Sequence, residues 1–125
     1  MVAIDTNVAI AYLRNEFILP DGIQVTDFAL PTVVMGELLF GAHNSGRPAQ
    51  NLDYYRGFLY DLEVLFLNAS AAEHYAEIRL ALKQKGRPIP ENDMWIAAIC
   101  RANDAPLLTF DQHFAEVPGL TLILL

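Results

Sequence analysis

Cysteine is nearly absent from this sequence: Cys100 stands alone among 125 residues. One thiol makes neither an intrachain disulfide nor a thiolate metal cluster, and a reducing compartment is allowed. Basic residues are also few, 8 against 15 acidic ones, for a formal net charge of -7. Phosphate backbones favour Lys and Arg, so this balance argues against tight non-specific binding of long duplexes. It leaves room for brief capture of a small structured RNA. No apolar run approaches membrane-spanning length and no basic segment leads into one, so the expectation is a cytoplasmic protein without signal peptide or membrane anchor. Signatures of other chemistries are missing: there is no G-x-S-x-G, H-E-x-x-H, P-loop or G-x-G-x-x-G. No internal repeat, low-complexity tract or linker divides the chain.

Apolar residues are abundant. At 54% hydrophobic and 18% charged residues, the chain can bury a substantial core, which excludes intrinsic disorder. Its length suits one domain, residues 1–125. Residues 1–4 form an apolar run without polar alternation, as in a strand covered on both faces. The run ends in Asp5-Thr6-Asn7, and a helical pattern follows to Leu13, with Thr6 or Asn7 available as its cap. Phe28-Ala29-Leu30 reads as a second strand, stopped by Pro31. Residues 33–43 and 49–60 read as two helices forming an αα-hairpin around Asn44-Ser45-Gly46-Arg47-Pro48. Residues 64–67 suggest a third strand. Ser70 and Glu73 have capping-box spacing ahead of a helix that runs to about Lys85, with Gly86 as terminator. Beyond the rigid connector Arg87-Pro88-Ile89-Pro90, a helix apolar on most sides reaches about Ala102. Residues 106–109 and 121–125 complete the strands. Repeated strand–helix alternation predicts an α/β fold on a parallel sheet.

Four acidic residues fall where such a fold collects ligands. Asp5 ends the first strand, and Asp111 lies two residues beyond the core of the fourth. Open α/β sheets bind ligands in the crevice outside the strand C-termini. Asp93 lies in the first turn of an apolar helix. Glu37 lies in an otherwise apolar helix, where a packed carboxylate needs a partner or a cation. Each has a structural alternative: a strand-end turn for Asp5, a solvated flank for Glu37, and caps for Asp93 and Asp111. Separations of 32, 56 and 18 residues carry no local ligand spacing, so position alone leaves both readings open. Four carboxylates without a histidine or cysteine cluster suit Mg2+ or Mn2+ better than Zn2+.

The segments around these residues form a pattern. Ile4-Asp5-Thr6-Asn7 opens it, and Thr32-Val33-Val34-Met35-Gly36-Glu37-Leu38-Leu39-Phe40-Gly41-Ala42 follows. Ile89-Pro90-Glu91-Asn92-Asp93-Met94-Trp95-Ile96-Ala97-Ala98 is third. Leu107-Leu108-Thr109-Phe110-Asp111-Gln112-His113-Phe114, continued by Pro118-Gly119-Leu120, closes it. In this order the four resemble the motifs of PIN domains, and specifically of VapC-type toxins from bacterial toxin–antitoxin pairs. The resemblance covers essentially the whole chain. It implies a three-layer α/β/α sandwich on a parallel five-stranded sheet. It implies that Asp5, Glu37, Asp93 and Asp111 surround one or two Mg2+ or Mn2+ ions and hydrolyse phosphodiesters of a structured RNA such as a tRNA or rRNA loop. Asp5 and Asp93 would be direct ligands, Glu37 a ligand or the group that orients and deprotonates the attacking water, and Asp111 a ligand acting through water. The implied partners are a cognate antitoxin, the RNA and a second copy of the chain in a homodimer, with DNA contacted only through the antitoxin. Phe110 departs from the polar or basic residue frequent at its position, which changes the substrate contact expected there.

Neighbouring residues have two readings each. Thr6, Asn7 and Thr109 either support the ligands with their hydroxyl or amide groups or serve local capping. Asn92 reads as a cap, His113 as part of a turn anchored by Phe114 instead of a general acid, and Trp95 as packing instead of base stacking. Arg79, Lys83, Lys85 and Arg87 suit either an RNA backbone or a solvated helix face. Tyr54, Tyr55, Phe58, Leu59 and Tyr60 suit an antitoxin groove or packing of the hairpin. Cys100 reads as a small core residue. The competing functions are a housekeeping PIN-type nuclease without antitoxin and a non-catalytic module that binds a partner's basic tail. A phosphotransfer domain is disfavoured because Thr6-Asn7-Val8 places no second acid after Asp5.

Overall fold

The middle strands are apolar at consecutive positions, and the fold uses this directly. The computed structural model describes residues 1–125. Its strands are β1 (Val2–Ile4), β2 (Phe28–Pro31), β3 (Glu63–Leu65), β4 (Leu107–Thr109) and β5 (Leu122–Leu124), all parallel and in the order β3-β2-β1-β4-β5. Successive side chains on a strand point to opposite faces. Every residue of β1, β2 and β4 is buried, so both faces of the central sheet are covered. The helices that cover it are α1 (Thr6–Leu13), α2 (Thr32–His43), α3 (Pro48–Leu59), α4 (Ala69–Lys85) and α5 (Glu91–Ala102). α2 packs on α3 as a hairpin, and α4 packs on α5. α5 brings Met94 and the run from Ile96 to Cys100 into the core. This is the expected α/β architecture.

Strand order also locates the site. From β1 the chain steps outward to β2 and β3, then crosses back to β4 and β5. The direction reverses between β1 and β4, and the crevice at such a switch point is where open sheets receive ligands. Past the end of β1, the Asp5 N–H donates to the Leu108 carbonyl at 3.2 Å. That bond holds Asp5 beside β4.

Several local expectations change. The α1 cap is Asp5, whose carboxylate accepts the Thr6 N–H at 2.8 Å, in place of Thr6 or Asn7. α4 is capped by Asn68, which accepts from the Ala71 N–H at 3.0 Å. Asn is as good a cap as Ser and comes earlier, so the Ser70–Glu73 box does not form. β3 ends at Leu65 because its partner β2 ends opposite it, at Pro31. The Leu67 N–H turns instead to the Thr32 hydroxyl at 3.2 Å. Gly86 terminates α4 as expected, at φ 66°, with its N–H on the Lys83 carbonyl at 3.1 Å.

The aromatic group on α3 divides. Tyr55, Phe58 and Leu59 pack onto the core, and Phe58 meets Tyr12 at a centroid distance of 6.0 Å. Tyr54 and Tyr60 stay exposed. Trp95 stacks on Tyr75 of the same chain, with ring centroids 3.7 Å apart and planes 6° from parallel. Cys100 is fully buried, and burial, followed by the nearby Asp5 charge, pushes its thiol up to about 12. No helix is long and apolar enough to cross a membrane.

Candidate active site

The core contains two buried polar side chains, Asp5 and Thr109. They are bonded to each other: the Thr109 hydroxyl donates to Asp5 Oδ2 at 2.9 Å. The same hydroxyl accepts the Asp111 N–H at 3.0 Å, which fixes the chain as it leaves β4. On the other side, the Thr6 N–H donates to Asp5 Oδ1 at 2.8 Å, and the Thr6 hydroxyl donates to Glu37 Oε1 at 2.8 Å. Two threonines therefore splice Asp5, Glu37 and Asp111 into one network. Asp93, from the first turn of α5, meets His113 Nε2 through Oδ2 at 2.9 Å.

The carboxylates act on one another. Burial holds Asp5 above the usual carboxylate range. The Thr109 hydroxyl and Thr6 N–H oppose this shift, and Asp111 and Glu37 add to it. Asp93 is pushed up to about 6, first by burial and then by the charge of Asp5; His113 counters this and Glu37 reinforces it. All four expected residues thus share one electrostatic site. Asp5 itself is buried at the heart of the site, and no three such groups converge into a ready-made cation cage. A cavity of about 560 Å³ adjoins the site, lined by Thr6, Val33, Gly36, Glu37, Phe40 and Asn92.

Of the supporting residues, Thr6 and Thr109 bond to the carboxylates, whereas Asn7 is exposed and bonds to none of them. Asn92 lines the cavity, and the α5 cap position belongs to Pro90. Asp111 sits at the cap position of the 3-10 turn Gln112–Glu116 without a side-chain capping bond. Phe114 anchors that turn in the core as expected. His113 is the residue sequence reasoning undervalued, since its ring reaches Asp93. The only available signal was its place two residues after Asp111; nothing in the sequence links positions 93 and 113.

The basic group also splits. Arg79 donates to the Tyr75 hydroxyl at 2.7 Å and pairs with Glu91 at 3.6 Å, and the Tyr75 hydroxyl in turn bonds Glu91. Lys85 donates to the Glu116 carbonyl at 2.7 Å. The side chains of Lys83 and Arg87 have no hydrogen-bonding or ionic partner within the protein. Arg87 lines a second cavity of about 340 Å³ together with Gln112 and His113.

With this geometry in place, the PIN domain family model matches residues 2–120. The chain belongs to the PIN domain family. Within that family, this PIN chain is 33% identical to the tRNA(fMet)-specific endonuclease VapC of Shigella flexneri, over 94% of this chain and 92% of that protein. It is 32% identical to Ribonuclease VapC5 of Mycobacterium tuberculosis, over 93% of this chain and 87% of that one. Among solved structures it superposes on VapBC2 from Rickettsia felis, bound to a promoter DNA fragment, with TM-score 0.87 at 28% identity, covering 100% of this chain and 99% of that chain. It also superposes on VapBC-5 from Mycobacterium tuberculosis with TM-score 0.79 at 31% identity, covering 99% and 98% of the two chains.

Proposed function

We propose that this PIN protein is the toxin of a toxin–antitoxin pair: an endoribonuclease that hydrolyses phosphodiester bonds of a structured RNA at Asp5, Glu37, Asp93 and Asp111, using Mg2+ or Mn2+. The observation that carries the site is Asp5. It is a buried carboxylate at the sheet's switch point, with both oxygens held by Thr6 and Thr109 and with three more carboxylates acting on it or beside it. Burying like charges together is costly, and no lysine or arginine offsets them. A site of oxygen donors without thiolates suits a hard divalent cation.

Asp5 and Asp93, both raised above the usual carboxylate range first by burial, would hold the ion, with Glu37 close by and Asp111 contributing through water. When bound, such an ion supplies charge neutralisation, a more acidic water and stabilisation of the leaving oxygen. The chain's own residues do the rest. The Thr6 hydroxyl fixes one oxygen of Glu37, which lines the larger cavity and would orient the attacking water and accept its proton. Thr109 keeps Asp5 and Asp111 in register across β1 and β4. The exposed Phe40, Tyr54 and Tyr60 on the α2–α3 hairpin offer an apolar surface for the antitoxin.

The test uses purified protein and a tRNA pool. Cleavage in Mg2+ that disappears with a chelator and in Asp5→Asn supports the proposal. Cleavage that persists in either case refutes the site. Expression of the chain alone should arrest growth, and co-expression of the product of an adjacent small gene should restore it. Harmless expression would favour a housekeeping nuclease.

A further inference from the structure

We infer that His113 is a positioning residue for Asp93: its Nε2–H holds one carboxylate oxygen and leaves the other free for a cation and its waters. The inference rests on the proposal that Asp93 holds the cation. An ionised carboxylate only accepts hydrogen bonds, so at 2.9 Å the contact with Asp93 Oδ2 places hydrogen on Nε2. Asp93 Oδ1 has no partner in the protein, so a single bond fixes the group and leaves half of it available.

The arm that carries His113 is secured at several points. At its start, the Asp111 N–H is held by the Thr109 hydroxyl at 3.0 Å, the same hydroxyl that bonds Asp5. In the middle, Phe114 is fully buried, and the His113 ring lies against it with centroids 4.7 Å apart. At its end, Lys85 from the last turn of α4 donates to the Glu116 carbonyl at 2.7 Å. A five-residue 3-10 turn pinned in this way presents its imidazole in one place. Asp93 itself comes from the opposite side, on α5. Without His113, the Asp93 side chain would be free to rotate about χ1 and χ2 toward solvent and away from Asp5 and Glu37. Hydrogen-bond partners of ligating carboxylates have this function in metal sites, and their loss costs about 10–100-fold in metal affinity or activity.

The experiment compares wild type with two variants. His113→Phe keeps the ring against Phe114 but removes the donor; His113→Gln retains an N–H donor near the Nε2 position. Mn2+ binding is read by calorimetry on the protein without RNA, and kcat and KM are read on an RNA oligonucleotide. His113→Phe is expected to weaken Mn2+ binding about 10–100-fold and to lower kcat with KM within about twofold, whereas His113→Gln recovers most of both. Wild-type Mn2+ affinity and kcat in His113→Phe, or a His113→Gln no better than His113→Phe, would overturn the inference. A third readout does not depend on any variant folding. The imidazole 15N spectrum of the wild type at pH 8 is expected to show hydrogen on Nε2, and a bare Nε2 would also refute the assignment. Asp5→Asn separates the two levels. If it binds Mn2+ like wild type, the cation reading itself fails; if it loses Mn2+ while His113→Phe retains it, only the role of His113 fails.

Discussion

Replacing Asp93 with Asn should make the metal-free protein more stable while destroying its activity. Asp93 ionises in a place that disfavours its charge: burial and the Asp5 carboxylate raise it from an ordinary 3.8 to about 6 despite the His113 contact. A shift of about two pH units corresponds to a ceiling of about 3 kcal/mol of destabilisation by the ionised form at neutral pH. The Asp93 side chain keeps 17% of its surface in solvent, so about 1–2 kcal/mol is the expected share. Asparagine has nearly the same shape, and its Oδ1 can still accept from His113 Nε2. For a domain of this size the gain is about 4–8 °C in Tm, measured by differential scanning calorimetry in chelator at pH 7.5. The sign of the pH dependence follows. A raised folded-state pKa contributes stability that is complete below the unfolded value and lost as pH rises through the folded one. Metal-free wild type should therefore gain about 1 kcal/mol as pH falls from 7.5 to 5, and Asp93→Asn should lose that gain. Mg2+ should raise the Tm of wild type and have much less effect on the variant. A Tm for Asp93→Asn at or below that of wild type in chelator would refute the electrostatic account of the site.

Thr109→Val removes a hydroxyl that donates to Asp5 and accepts from Asp111, leaving a buried carboxylate oxygen unpaired. It should cost about 1–3 kcal/mol by urea denaturation and lower kcat about 10–100-fold. Gly86→Ala meets no atom within 4 Å, so its effect is backbone strain at φ +66° alone. About 1 kcal/mol of stability should be lost by thermal melting, with RNA cleavage rate retained. Arg87→Ala and Lys83→Ala should each lower the slope of log binding constant against log salt for RNA by about 0.7–0.9, whereas Lys85→Ala, whose cation is already engaged with Glu116, should leave it nearly unchanged.

Much of this structure was legible in the sequence because its signals were local. The apolar runs before Asp5 and Thr109 specify strands buried on both faces, and Gly86 marks a helix end that needs a left-handed residue. The motifs around Asp5, Glu37, Asp93 and Asp111 identified residues that the fold does bring into one field. Two kinds of detail were not legible. Competing caps, Asn68 against Ser70 and Asp5 against Thr6, are settled by where the preceding strand releases the chain. Long-range partners leave no spacing to read: Thr6 meets Glu37 across α1 and α2, and His113 meets Asp93 only because a 3-10 turn after β4 lies against the start of α5. The basic residues at 79–87 looked like one group, yet Tyr75, Glu91 and Glu116 engage two of them.

The central claim is that these four carboxylates form one RNA-cleaving centre. Its most direct test is transcriptome-wide mapping of RNA 5′ ends after brief induction of wild type beside Asp93→Asn, with equal protein levels verified. Discrete new ends in one structured RNA, present with wild type and absent with the more stable but inactive variant, are the expected result. The same ends in both strains, or none in either, would contradict it.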